Sequence, residues 1–191
     1  MKEKKEKKNW WLIGFMVLIM VGTSFSVILY GGSSSSEKVT YNGIKFRIFQ
    51  DRVEAKINGK NAAFSFLPQD VLSINSTANL GILMNKYEID ATYDYNSSKA
   101  QYIALAQHQM SLTLEQYGVF LRKGFVKNNT YNMPIIKCSD ASQSVPVVYF
   151  VEGNSTLIRQ DGSCIIAEGS KEVDFIREKD YIVYSILGVI K

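Results

Sequence analysis

The feature that most constrains this chain is "WWLIGFMVLIMVGTSFSVILY", Trp10 to Tyr30, a run without a single charged residue. As a helix rising 1.5 Å per residue, such a run is about 31 Å long, which matches the roughly 30 Å hydrocarbon core of a bilayer. Trp10 and Trp11 at one end and Tyr30 at the other stand where an aromatic belt belongs. The preceding "MKEKKEKKN" holds five lysines against two glutamates and supplies +3 of the formal +4 charge of the 191-residue chain. Lysines confined to that side predict a cytoplasmic amino terminus, with everything after Tyr30 outside. The competing reading is a cleaved signal peptide, whose apolar region runs about 7 to 15 residues and ends in a small-residue site, unlike "VILYGG". Both readings deliver the remainder across the membrane.

Four segments follow: a basic cytoplasmic tail (1–9), a transmembrane signal anchor (10–30), a Gly/Ser tether "GGSSSSEK" (31–38) and one extracytoplasmic domain (39–191). Beyond residue 9 the chain is almost neutral, at +1, so composition offers no basic patch for nucleic acid. The expected partners are the lipid bilayer, through residues 10–30, and a protein at the membrane surface.

In the outer domain, Asn42-Gly43 and Asn58-Gly59 each separate two β-rich runs, the strongest short hairpin signal, and predict an antiparallel meander over residues 39–66. Ile44, Phe46 and Ile48 share one strand face; Val53, Ala55 and Ile57 alternate with Glu54 and Lys56. A short helical turn is expected from Pro68. "KYEIDATYDY" alternates, with Tyr87, Ile89, Ala91, Tyr93 and Tyr95 on one face and Glu88, Asp90, Thr92 and Asp94 on the other, which reads as a half-buried strand with a wet acidic face. A helix should follow, capped at Ser97 or Ser98 and closed by Gly118, with the stripe Ile103, Ala106, Met110, Leu114 and Tyr117 inside. Leu105 and Leu112 on its opposite side imply cover on both faces. Short strands are expected at 119–126, 134–138, 145–151, 156–159 and 163–168, then a helix over the last segment, buried from Tyr181 to Ile190, with a strand or a membrane-surface role as the alternatives for that run. The fold class is therefore α+β, with a mostly antiparallel or mixed sheet and two packed helices.

Candidate chemistry is sparse. Glu88, Asp90 and Asp94 stand at spacings that suit an acid/base pair or part of a Ca²⁺ site, although no D-x-D-x-D-G loop accompanies them. The single histidine, His108, rules out a multi-histidine metal site and reads as structural. No Walker, Rossmann, nucleophile-elbow or zincin motif is present, so no catalytic residue, metal or cofactor is assigned. Asn75, Asn96, Asn128 and Asn154 each open an N-x-S/T sequon and are candidate glycan acceptors. Cys138 and Cys164, the two cysteines, offer half a zinc site, a redox pair or a staple. In an oxidising compartment they have no other partner within the chain, and a structural disulfide is the favoured reading. The segment from "SVPVVYF" to "CIIAEG" resembles the thioredoxin-fold stretch in which a proline, here Pro146, opens a strand and a hairpin follows, but the C-x-x-C of that family is absent.

Taken together, the lysine tail with its apolar run, "FLPQDV", "IKCSDA" with "VPVVYF", "GNST", "CIIAEG" and "DYIVYSILGVI" resemble a group of uncharacterised single-pass membrane-anchored archaeal proteins. The resemblance implies a cell-surface setting, in which glycosylated exported domains are ordinary, and carries over no activity and no site residue. The leading functional expectation is a non-catalytic interaction module or small subunit of a membrane complex. A pilin-like subunit is the alternative, despite the lack of a glycine just before the apolar run. An extracytoplasmic thiol oxidoreductase or a hydrolase using Glu88, Asp90 and Asp94 is the third.

Overall fold

The computed structural model describes residues 11, 14–20 and 37–190. The basic tail and most of the expected span lie outside the described residues. Residues 11 and 14–20 are helical; Trp11 stacks on Phe15 with ring centroids 5.8 Å apart, and Trp11 and the run from Phe15 to Met20 expose apolar side chains. Among the described residues no helix is long and apolar enough to cross a membrane.

From Glu37 the chain forms an α+β domain. Strands β1 (Glu37–Tyr41), β2 (Ile44–Ile48), β3 (Val53–Ile57) and β4 (Lys60–Phe64) make the expected antiparallel meander in that order. Asn42 and Gly43 at φ 47° and 79°, and Asn58 and Gly59 at φ 49° and 82°, supply the two positive φ values that a type I′ turn needs. Because β1 opens at Glu37, the last two residues of the expected 31–38 tether belong to the domain. Helix α1 (Pro68–Val71) starts on its proline, as expected.

The second sheet contains β5 (Asn75–Ser76), β6 (Glu88–Tyr93), β7 (Phe120–Phe125), β8 (Val147–Glu152), β9 (Leu157–Asp161) and β10 (Cys164–Gly169), in the order β5-β9-β10-β8-β6-β7. Only β9–β10 pairs antiparallel; β5–β9, β10–β8, β8–β6 and β6–β7 are parallel. The sheet is thus mixed and mainly parallel, because α2 (Ala100–Glu115) carries the chain from β6 across to β7 in a βαβ unit. The strand after Pro146 and the hairpin that follows it both form, as β8 and the antiparallel pair β9–β10, with β8 running parallel to β10. Residues 134–138 do not form a strand; they carry one bridge, Ile135 to Phe125, and enter a 3₁₀ turn at Cys138.

Helices α2 and α3 (Glu172–Ile186) lie between the two sheets. On the meander side, Tyr184 of α3 stacks on Phe64 with centroids 4.0 Å apart, meets Phe46 edge-on at 6.0 Å, and donates its hydroxyl to the Phe66 carbonyl at 2.7 Å. Such aromatic pairs add about 0.5–1.5 kcal/mol each beyond the area they bury. Asp180 accepts the Ser65 and Phe66 amides at 2.8 and 2.9 Å and pairs with Lys179, so a buried ion pair pins the end of β4 to α3. On the other side, the Phe175 ring lies against Gly169 of β10, where a Cβ would stand 2.8 Å from it. Ile182, Val183, Tyr184, Val189 and Ile190 are buried, as the all-round apolar pattern implies.

Within α2, Ile103, Ala106, Met110 and Leu114 are fully buried, but Leu105 and Leu112 are exposed by 44% and 52%. The expected cover on both faces is therefore complete on one face only: the two sheets take the Ile103–Leu114 stripe, and the described residues leave the second about half exposed.

Candidate functional site

The acidic residues of β6 do not form a wet face. Asp90 is 1% exposed and Thr92 is fully buried, since β6 has strands on both sides and its outer face is roofed by residues 126–146. Thr92 Oγ1 donates to the Ile136 carbonyl at 2.9 Å, and Cys138 is bonded to Cys164 of β10 across the same face, confirming the expected staple. Ile136, Val147, Cys164 and Ile166 form a small apolar cluster under this roof. Alternation in sequence could not reveal it, because the covering segment has no regular structure.

Parallel pairing sets Arg122 of β7 beside Asp90. Arg122 Nε donates to Asp90 Oδ1 at 2.7 Å and Nη2 to Oδ2 at 2.6 Å, a bidentate pair, and Nε also lies 3.3 Å from Glu88 Oε1. Lys127 pairs with Asp94, and its hydrogen bond is the chief reason that the Asp94 carboxyl is held below the usual carboxylate range. The three acids are therefore brought onto one face, yet Asp90 and Asp94 are spent on cations from β7 and the loop after it. Each is thus committed to an ion pair with a neighbouring cation, and among the described residues no group of three or more His, Cys, Asp or Glu could hold a metal ion.

Open parallel sheets bind ligands where strand order reverses, outside the carboxyl ends of the strands. Here that point lies between β6, which continues through α2 to β7, and β8, which continues through β9 to β10. It is filled by the domain's own side chains. Glu152, ending β8, accepts the Ser97 and Ser98 hydroxyls at 2.7 Å each, which holds it below the usual carboxylate range. The expected serines are thus shared: Ser97 Oγ also accepts the Lys99 amide at 3.1 Å, and α2 begins from Lys99, whose own side chain makes no cap bond. Lys99 bonds Glu172 at 2.8 Å, at the start of α3. Nearby, Asp174 accepts from Thr156 Oγ1 at 2.6 Å and from the Lys171 amide at 2.8 Å. Burial alone would raise the Asp174 carboxyl, but these bonds outweigh it and keep it low.

All four sequon asparagines are exposed. Asn96, Asn128 and Asn154 follow the carboxyl ends of β6, β7 and β8, so the parallel strand direction sets three of them on one rim, while Asn75 lies in β5. His108 is exposed on α2 and touches none of these groups.

Sequence reasoning missed Arg122, Lys127 and Glu152, whose pairings depend on a parallel register that no local pattern encodes. It also missed Glu178, which had a signal: it falls three residues after Phe175 and four before Ile182, on the buried stripe of α3. Glu178 is fully buried, neither carboxyl oxygen has a partner, and burial, with Asp174 and Glu168 adding to it, pushes its pKa up to about 9.

No family model, curated protein or solved structure matches this chain.

Proposed function

We propose that the chain is a single-pass membrane protein whose domain is held outside the cell by residues 10–30 and serves as a non-catalytic interaction module or small subunit of a membrane complex. The observation that carries the reading is the Cys138–Cys164 bond in a chain whose amino-terminal run has no charge, since disulfides persist on the oxidising side of a membrane. The exposed apolar side chains of residues 15–20 agree with a lipid environment. Carboxylates tied to Arg122, Lys127, Ser97 and Ser98 support binding over catalysis. The exposed Leu105 and Leu112 strip supports a protein partner.

The test is protease protection in sealed vesicles made from the native membrane, with thiol alkylation before and after reduction. The expected result is an intact lysine tail protected on the cytoplasmic side, a digestible outer domain, and alkylation only after reduction. A tail digested from outside, or free thiols without reductant, would refute the reading. A mature amino terminus lying within the apolar run would favour the pilin-like alternative.

A further inference from the structure

We propose that the free edge of β7 receives an extended, acidic segment of a partner protein as an added strand. The inference rests on the interaction-module reading and names the surface that such a module would use.

A parallel ladder engages alternate residues of each strand. The Phe120 amide donates to the Tyr87 carbonyl and the Val126 amide to the Tyr93 carbonyl, so Phe120, Arg122, Gly124 and Val126 face β6. Leu121, Lys123 and Phe125 therefore turn their amides and carbonyls outward. Those of Phe125 are taken, since its amide donates to the Pro134 carbonyl and its carbonyl accepts from the Ile136 amide, each at 2.9 Å. Those of Leu121 and Lys123 have no partner among the described residues. The edge thus already accepts a parallel strand at Phe125 through Ile135, and the same geometry stands open two to four residues earlier. Unpaired edges of this kind recruit extended segments through main-chain hydrogen bonds.

The side chains define the occupant. Beside the open edge lies a groove of about 350 Å³ lined by Ser111 and Glu115 of α2, Val119, Phe120, Leu121 and Lys123. Phe120 is 63% exposed, offering apolar contact on the outer face. Over residues 120–125 the strand carries Arg122 and Lys123 and no acid. Arg122 is engaged by Asp90, whereas Lys123 has no ion-pair partner among the described residues. A strand laid along this edge sets its own side chain next to Lys123, and a carboxylate there meets an unpaired cation. The apolar residues that alternate with it fall on the other face of the strand, beside the exposed Phe120 ring.

The full chain in detergent micelles is titrated with the peptide Ac-Val-Glu-Val-Glu-Val-NH2 and with its counterpart bearing Lys in place of Glu, reading amide hydrogen exchange residue by residue. The acidic peptide is expected to slow exchange at Leu121 and Lys123 at least tenfold, to leave Arg122 and Gly124 unchanged, and to bind at least tenfold more tightly than the basic one. Lys123→Glu should reverse that preference. Lys123→Pro, which removes an outward donor without touching the β6 ladder, should abolish the slowing. Equal binding of both peptides, slowing elsewhere in the domain, or a Lys123→Glu variant with unaltered preference would overturn the proposal. So would slowing that grows with protein concentration without peptide, which assigns the edge to a second copy of this chain. A stoichiometric native partner that still binds Lys123→Glu would remove this edge while leaving the module reading intact. Peptide pairing at Leu121 and Lys123 without any native partner would support the edge and count against the module.

Discussion

Arg122 holds Asp90 through two hydrogen bonds of 2.7 and 2.6 Å, with the carboxylate 2% exposed and the guanidinium still 48% open to solvent. The carboxylate was desolvated when β6 was roofed, so the pair matters mostly through what its loss would leave behind. Arg122→Ala strands a buried charge and should lower unfolding stability by about 2–4 kcal/mol, below the cost of a fully buried pair because the arginine is half solvated. Arg122→Lys keeps the charge but loses the two-pronged contact and should cost about 1–2 kcal/mol. Urea denaturation of both variants checks this, and a shared small loss would show that the pair is idle.

Glu178 should make the domain less stable in alkali. Its carboxyl titrates near 4.5 when exposed and at about 9 in the fold, so between those values the folded chain holds one more proton than the unfolded chain. Stability therefore falls as pH rises through that window, by at most about 1.4 kcal/mol per pH unit, and levels off above it. Asp94, Glu152 and Glu172 are held low and act in the opposite sense, losing their contribution only as pH falls below the ordinary carboxylate range. Glu178→Gln cannot ionise. Its melting temperature should match wild type near pH 4.5 and exceed it progressively towards pH 9; parallel curves across that range would contradict the assignment.

The disulfide joins residues separated by 26 positions, one of which belongs to the roof and the other to β10. Cys138→Ser with Cys164→Ser should destabilise by about 2–4 kcal/mol. The loss should be local before it is global. Limited proteolysis should find new cuts within residues 126–146 at temperatures where the meander hairpins remain protected, and simultaneous cutting of both regions would argue against a roof that opens by itself.

Gly124 lets the roof approach β7. A Cβ there would stand 2.6 Å from the Pro134 carbonyl oxygen and 2.7 Å from Ile136 Cδ1. Gly124→Ala should push residues 134–136 away, cost about 1–3 kcal/mol, and speed exchange at the Ile136 amide, which bonds Phe125. Gly43→Ala meets no atom within 4 Å and should act through its positive φ alone, leaving Ile136 unaffected.

The meander was readable because its determinants are local. Asn42-Gly43 and Asn58-Gly59 name their turn type, and Val53, Ala55 and Ile57 name the inward face. The stripe of α2 and the buried end of α3 were readable for the same reason. The second sheet was not, because parallel pairing joins residues far apart in sequence: β6 meets β8 and β7 at a register set by packing of α2, with no signal in the strands themselves. Tyr87 shows the limit of alternation. It falls on the expected inner face yet is 89% exposed, since β6 begins one residue later and strand burial starts there. The acidic row was seen as a row, but its neutralisation by Arg122 and Lys127 required that register. The bonds of Ser97 and Ser98 to Glu152 likewise depended on the end of β8 lying beside the start of α2.

The place where β1 begins also decides how the domain bears load. If residues 10–30 anchor the chain and a partner grips the β7 edge, as proposed, tension would enter the domain at Glu37, where β1 begins. Glu37 pairs with Ile48, and β1 is bonded to β2 alone, so pulling there peels the hairpin from its open end, one cross-strand pair after another, instead of shearing the ladder as a block. Peeling yields at low force. Under the proposed anchoring and grip the meander would act as a mechanical fuse, its first hairpin opening and lengthening the connection before the mainly parallel sheet and its disulfide bear the load.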